Sequence, residues 1–166
     1  DGLPAFAVVG LPDASCREAR DRVRAAIQSS GFDWPLKKVT VNLAPSGVPK
    51  TGAGLDLAMA VGVLVASKQL AAELVQGTAL IAELGLDGTL RSVPGALPLT
   101  AATACPAAVI APANLVEASL VSGRDVYAAR SLRHLIDVLH GVDQWCERPQ
   151  EQEQSPVRPV VDLATV

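Results

Sequence analysis

The chain has 166 residues, 49% of them apolar, and a formal net charge of −3. That is enough length and apolar content for one domain with a packed core, and the mild acidity excludes a strongly basic nucleic-acid module while leaving room for a local basic patch. Phe6, Phe32, Trp34, Tyr127 and Trp145 are too scattered along the sequence for a base-stacking platform. The core must therefore be built from Val, Leu, Ile and Ala.

In chain order, Ala5 to Val9 is a short apolar strand closed by Gly10-Leu11-Pro12. Asp13 is placed to cap a helix whose apolar positions, Cys16, Ala19, Val23, Ala26 and Ile27, keep a helical period. Gly31 ends that helix as a C-cap. Arg17, Arg20 and Arg24 share a neighbouring face. Glu18 and Asp21 sit among them, so a self-paired solvated face is the simple reading, with a DNA contact as its rival.

The stretch from Lys37 to Gln69 carries the densest signal. A β-type run over Lys37–Leu43 leads into a Gly/Pro loop, Ala44 to Gly54, and then into an apolar helix, Leu55 to Ala66, with Asp56 at its start. Such an arrangement presents backbone N–H groups and a few side chains at one point. Gly47-Val48-Pro49-Lys50-Thr51-Gly52 superficially resembles a phosphate-binding loop, but Pro49 precedes the lysine and has no N–H. Ser46 and Lys50 are four apart and could form a Ser–Lys pair, although Ser46 between Pro45 and Gly47 also reads as a turn former. Asp56 reads either as a carboxylate held by the helix N-terminus or as a partner contact.

Beyond the central helix, Ala71 to Val75 is a short turn and Thr78 to Leu84 a strand. Leu86-Asp87-Gly88-Thr89 is a hairpin signal returning through Leu90 to Val93. A small-residue helix then runs to about Ala104. A buried strand follows at Ala107–Ile110, a helix at Ala113–Val121 and a strand at Asp125–Ala128. The last helix carries Leu132, Leu135, Ile136, Val138 and Leu139, with Ser131 as its cap. His134 and His140 lie on different faces of it, which suits neither a metal pair nor a catalytic triad. The expected folded unit is 1–143, and the Gln/Glu/Arg/Pro-rich 144–166 is an expected polar linker.

Cys16, Cys105 and Cys146 are odd in number and contain no CxxC, so a zinc site or disulfide framework is not expected. The longest apolar run has about a dozen residues, short of the roughly 20 that span a bilayer. A signal peptide ahead of the fold is not expected. A cytoplasmic protein without a membrane partner is expected. The absence of an initial Met reads as a fragment cut at both ends.

Several runs, taken together, carry a resemblance. They are Val9-Gly10-Leu11-Pro12-Asp13, Arg17 to Arg24, Val41-Asn42-Leu43-Ala44-Pro45, Pro49-Lys50-Thr51-Gly52 with Asp56-Leu57, and Glu83 to Gly88 with Leu90-Arg91 and Val93-Pro94-Gly95. In this order they resemble the N-terminal domain of the magnesium-chelatase-like AAA+ ATPases, the ComM or YifB family, over residues 1 to 140. The resemblance implies an α/β (or α+β) fold, a mixed sheet with packed helices like the proteolytic domain of Lon, within the ribosomal-protein domain-2-like superfold. It implies an ATPase module following this chain, with ATP and Mg in that parent protein, a hexameric assembly and DNA branch migration during recombination and competence. Laid on Lon's catalytic loop, the serine position falls on Gly54. The lysine position, following Gly95-Ala96-Leu97, falls on Pro98. The expected role is thus a non-proteolytic accessory or oligomerisation domain, not itself an enzyme. It would hold no catalytic residue, metal or cofactor, and its candidate contacts to partner subunits or DNA are Lys50, Asp56, Arg17, Arg20 and Arg24. Two alternatives remain: a peptidase with a displaced Ser46–Lys50 dyad, and a DNA-contacting module using the arginine face with Lys37 and Lys38.

Overall fold

A computed structural model describes residues 6–10, 13–45, 47, 50 and 52–147; the side chains of Ser15 and Arg17 lie outside the description. Strand β1 (Phe6–Val9) leads through helix α1 (Ala14–Ser29) to β2 (Val39–Asn42). Helix α2 (Asp56–Ala66) follows, then a 3₁₀ turn (Ala72–Val75), β3 (Thr78–Ile81), β4 (Glu83–Leu84) and β5 (Leu90–Arg91). Helix α3 (Ala96–Ala102), β6 (Ala107–Ile110), α4 (Leu115–Ala118), β7 (Asp125–Ala128) and α5 (Leu132–Leu139) complete the order. The α/β class and the mixture of parallel and antiparallel pairing agree with expectation. The sheet, however, is in three pieces: a parallel β1–β2 pair, a parallel β3-β6-β7 sheet and an antiparallel β4–β5 hairpin.

Local chemistry explains the boundaries. Asp13 Oδ1 accepts the Cys16 N–H at 2.7 Å and starts α1. At the other end the Gly31 N–H reaches the Gln28 carbonyl at 3.0 Å and the Phe32 N–H reaches that of Ile27 at 3.1 Å, with Gly31 at φ +77°. That pattern satisfies two helix-end carbonyls and needs a left-handed residue. The Ser131 hydroxyl caps α5 from its N-terminus, accepting the His134 N–H at 3.1 Å.

Three expected elements are shorter than their apolar runs, each for a visible reason. The Thr78–Leu84 run is interrupted at Ala82, whose carbonyl accepts the Leu57 N–H (3.2 Å) at the start of α2, while the Leu84 N–H turns to Asp56 Oδ2 (3.3 Å). The return strand ends at Arg91 because Val93 is paired by a side chain: its N–H donates to Asn114 Oδ1 (2.9 Å) and its carbonyl accepts from Asn114 Nδ2 (3.0 Å). The Ala113–Val121 helix is a 3₁₀ turn at Pro112–Asn114 followed by the four residues of α4, after which i→i+3 bonds from Leu120 and Val121 close it.

Cys16, Ala19, Val23, Ala26 and Ile27 are all fully buried, as their period requires. Ala19, Val23, Ala26 and Ile27 pack with Leu57, Leu64 and Leu84 and with Leu132 and Leu135 of α5 in the main core. A second cluster joins Val93, Ile110, Leu115 and Val126, with Ile81 and Cys146 against it. Trp145 and Cys146, which composition assigns to a linker, lie against β7. The Cys146 N–H donates to Ala128 O at 3.0 Å and Trp145 stacks on Tyr127 at 4.8 Å. Among the described residues no helix is long and apolar enough to cross a membrane.

Candidate functional site

The Gly/Pro loop is tied down from the start of α1. The Asp13 N–H donates to Lys50 O at 3.0 Å, and Asp13 Oδ2 accepts the Gly52 N–H at 3.1 Å. The buried Cys16 thiol donates to Gly52 O at 3.3 Å and to Lys50 O at 3.6 Å. Burial, reinforced by the Asp13 carboxylate, raises the Cys16 pKa. The thiol therefore stays protonated near neutral pH and acts as a donor, not as a nucleophile.

The loop then enters α2 at Asp56, which is fully buried. Its carboxylate is held by Arg22 of α1 (Nε to Oδ2 2.7 Å, Nη2 to Oδ1 3.2 Å) and by the Leu84 N–H. The Asp56 hydrogen bond raises the Arg22 pKa, so this arginine stays charged. Of the two readings of Asp56, the geometry favours the structural one: no face of the carboxylate is exposed. Arg22 was not singled out from sequence. The signal was available, since it lies three residues from Ala19 and four from Ala26, on the flank of the apolar stripe.

The residues just ahead of α2 border a cavity of about 790 Å³, within the range of ligand pockets. Segment 52–55 forms one wall and residues 79–81 of β3 another; Val93 to Gly95, with Pro98 and Leu99 of α3, close the rest. Gly54 and Pro98, distant in sequence, line this one cavity. Gly54 offers it a hydrogen and Pro98 a ring. A Cβ at Gly54 would meet Val93 Cγ1 at 3.6 Å, so the position has room for a side chain and carries none.

Lys50 also lines the cavity, and its ammonium donates to Pro45 O. Arg20 and Arg24 do not join it. Arg20 pairs with Asp21 at 3.2 Å, Arg24 lies 5.9 Å over the Trp34 ring, and the Arg17 side chain lies outside the description. Lys37 and Lys38 line a separate hollow with Lys68. Ser46, the displaced-dyad candidate, lies outside the described residues, as do Val48, Pro49 and Thr51. The aromatics do meet in pairs, contrary to the scattering read from sequence. Phe6 packs edge-on to Trp34 (5.1 Å) and Tyr127 stacks on Trp145, all partly buried against the core.

The loop does not suit a nucleotide phosphate. The Gly52 N–H, which would face the anion, is taken by Asp13, and Asp56 puts a second carboxylate at the helix entrance. Among the described residues no group of His, Cys, Asp and Glu could hold a metal ion. His134 and His140 each bond backbone groups of their own neighbourhood.

The family model of subunit ChlI of Mg-chelatase matches residues 1–114. The chain is 41% identical over 170 residues to YifB of Salmonella typhimurium, covering 100% of the chain and 33% of the relative. It is 42% identical over 146 residues to competence protein ComM of Haemophilus influenzae (87% and 29%). It is also 42% identical over 168 residues to an uncharacterized Mycobacterium bovis protein (99% and 33%). The chain thus spans about a third of the length of these relatives.

Proposed function

The chain belongs to the magnesium-chelatase-like family of ComM and YifB, and from that premise we propose that it is a non-proteolytic, Lon-like accessory and oligomerisation domain. Its parent would be a ComM-type AAA+ ATPase that drives DNA branch migration in the cytoplasm. ATP and Mg²⁺ belong to the parent's motor module, and neighbouring subunits are the expected partners.

The observation that carries this reading is the cavity shared by Gly54 and Pro98. An acyl-enzyme mechanism needs a hydroxyl and a base within hydrogen-bond reach. A hydrogen and a pyrrolidine ring at the two positions where the Lon resemblance places that pair can supply neither. The cavity then serves binding. That the Haemophilus relative is a competence protein supports work on DNA by the parent.

Two measurements test the reading. The chain should leave an unstructured protein substrate intact and should not react with a fluorophosphonate probe. Hydrolysis lost in Ser46→Ala or Lys50→Ala would overturn the non-proteolytic assignment in favour of the displaced dyad. In the full-length parent, removal of this domain should impair ring assembly and ATP-driven branch migration; unchanged assembly and migration would overturn the accessory role.

A further inference from the structure

The two outer edges of the β3-β6-β7 sheet are treated differently. On β7 the edge is covered, since the Cys146 N–H bonds Ala128 O and Trp145 stacks on Tyr127. Among the described residues the only strand partner of β3 is β6, and its outer edge makes no backbone hydrogen bond to any of them. An open edge is a template for another strand.

That edge opens onto the cavity. Ala79, Leu80 and Ile81 are consecutive, yet all three line it. Successive side chains of a strand point to opposite faces, so three in a row border one space where that space meets the strand's edge. The facing wall, 52–55, is likewise a run of consecutive residues dominated by glycine and alanine. That segment therefore puts little side-chain bulk into the cavity. Its two charged lining residues, Lys50 and Glu83, have no oppositely charged side chain within 4.0 Å among the described residues.

We infer that this cavity binds an extended peptide segment of a partner protein, added as a strand along the outer edge of β3. The segment carries small apolar side chains at its centre, a carboxylate for Lys50 and a cation for Glu83. Main-chain hydrogen bonds supply affinity in this mode, and the pockets for alternate side chains supply selectivity. The inference rests on the non-proteolytic reading of the same cavity, because a working Ser–Lys pair would cleave the occupant.

The test uses a short end-blocked peptide with a Val-Ala-Val-Ala centre flanked by Asp and Arg, labelled with fluorescein and followed by anisotropy. In strand addition alternate amides face the protein. N-methylation of one alternate set should abolish binding, and methylation of the other should leave it unchanged. Gly54→Leu, which fills the cavity, should weaken binding roughly tenfold or more, while Gly54→Ala should unfold at the wild-type temperature. No binding, binding indifferent to which amides are methylated, or full binding by a folded Gly54→Leu protein would each overturn the inference. So would self-association abolished by Gly54→Leu without peptide binding, which would give the edge to a second copy of the chain. If Gly54→Leu fails to fold, the methylation comparison on the wild type decides alone. Cleavage of a bound peptide would instead sink the non-proteolytic reading and leave the binding mode standing.

Discussion

Arg22 and Asp56 form a bidentate ion pair between α1 and α2, at 2.7 and 3.2 Å, with the aspartate side chain fully buried and the arginine side chain one-fifth exposed. The pair fixes the first turn of α2, and with it the 52–55 wall of the cavity, against the Leu84 strand. Arg22→Met leaves a buried carboxylate without its cation and should cost about 3–5 kcal/mol in urea unfolding. Arg22→Met/Asp56→Leu should cost less than Arg22→Met alone, because the uncompensated charge is gone and only the Leu84 N–H loses its acceptor. Equal losses in the two variants would mean that the pair's packing, not its charge, holds the helix.

Much of this arrangement was legible in sequence where periodicity and caps act locally. The α1 stripe, the Asp13 and Ser131 caps and the Asp87-Gly88 turn all stand where the residues place them. What was not legible depends on partners far along the chain. The breaks at Ala82 and Val93 are made by Leu57 and Asn114, and neither contact leaves a mark in the strand's own pattern. The same holds for the site. Gly54 and Pro98 could be aligned by resemblance, but that they face one cavity is a property of the packed fold. Arg22, on the flank of the apolar stripe, pairs with a carboxylate 34 residues away, which no local pattern marks.

Asn114 acts as a substitute strand for Val93, and both of its bonds are buried. Asn114→Ala leaves the Val93 N–H and carbonyl without partners, at about 1–3 kcal/mol each. The midpoint of thermal unfolding should fall, and amide exchange at Val93 should accelerate beyond that of the neighbouring core. A variant with unchanged exchange at Val93 would show that another group takes over the pairing.

The hairpin tip rests on two helix ends: Ser29 Oγ donates to Leu86 O at 2.8 Å and the Leu132 N–H donates to Gly88 O at 2.8 Å. Asp87 organises the turn. The Thr89 hydroxyl (2.7 Å) and then the Thr89 N–H (3.1 Å) hold its carboxyl below the ordinary aspartate range. A folded-state pKa below the unfolded one stabilises above the unfolded value and is lost as pH falls through the folded value. The stability gap between wild type and Asp87→Ala should therefore be full above about pH 4 and close on further acidification. Carboxyl NMR should place the Asp87 midpoint below that of a free aspartate; a midpoint at or above it would refute the assignment.

His134 joins α5 to the segment that leaves the domain. Its Nδ1 lies 3.1 Å from the Arg130 N–H, which can only donate, so Nδ1 accepts and the ring proton sits on Nε2. That proton points at Gln144 O, 2.9 Å away. Beside it Asp143 accepts from Arg130 Nη2 at 3.0 Å and from the Gln144 N–H at 2.8 Å. The Gln144 N–H first, and then Arg130, lower the Asp143 pKa. These bonds hold residues 143–145 in place, and the next side chain, Trp145, stacks on Tyr127. His134→Phe keeps the buried ring but leaves the Arg130 N–H without an acceptor and Gln144 O without a donor. It should lose about 1–3 kcal/mol of stability. In a Trp34→Phe background Trp145 is the only tryptophan, so its emission reports the segment. The emission should move to longer wavelength in His134→Phe as the ring comes off Tyr127 into water. A stability loss with unchanged emission would confine the histidine's role to α5 and leave the Trp145 stack as what holds the exit segment.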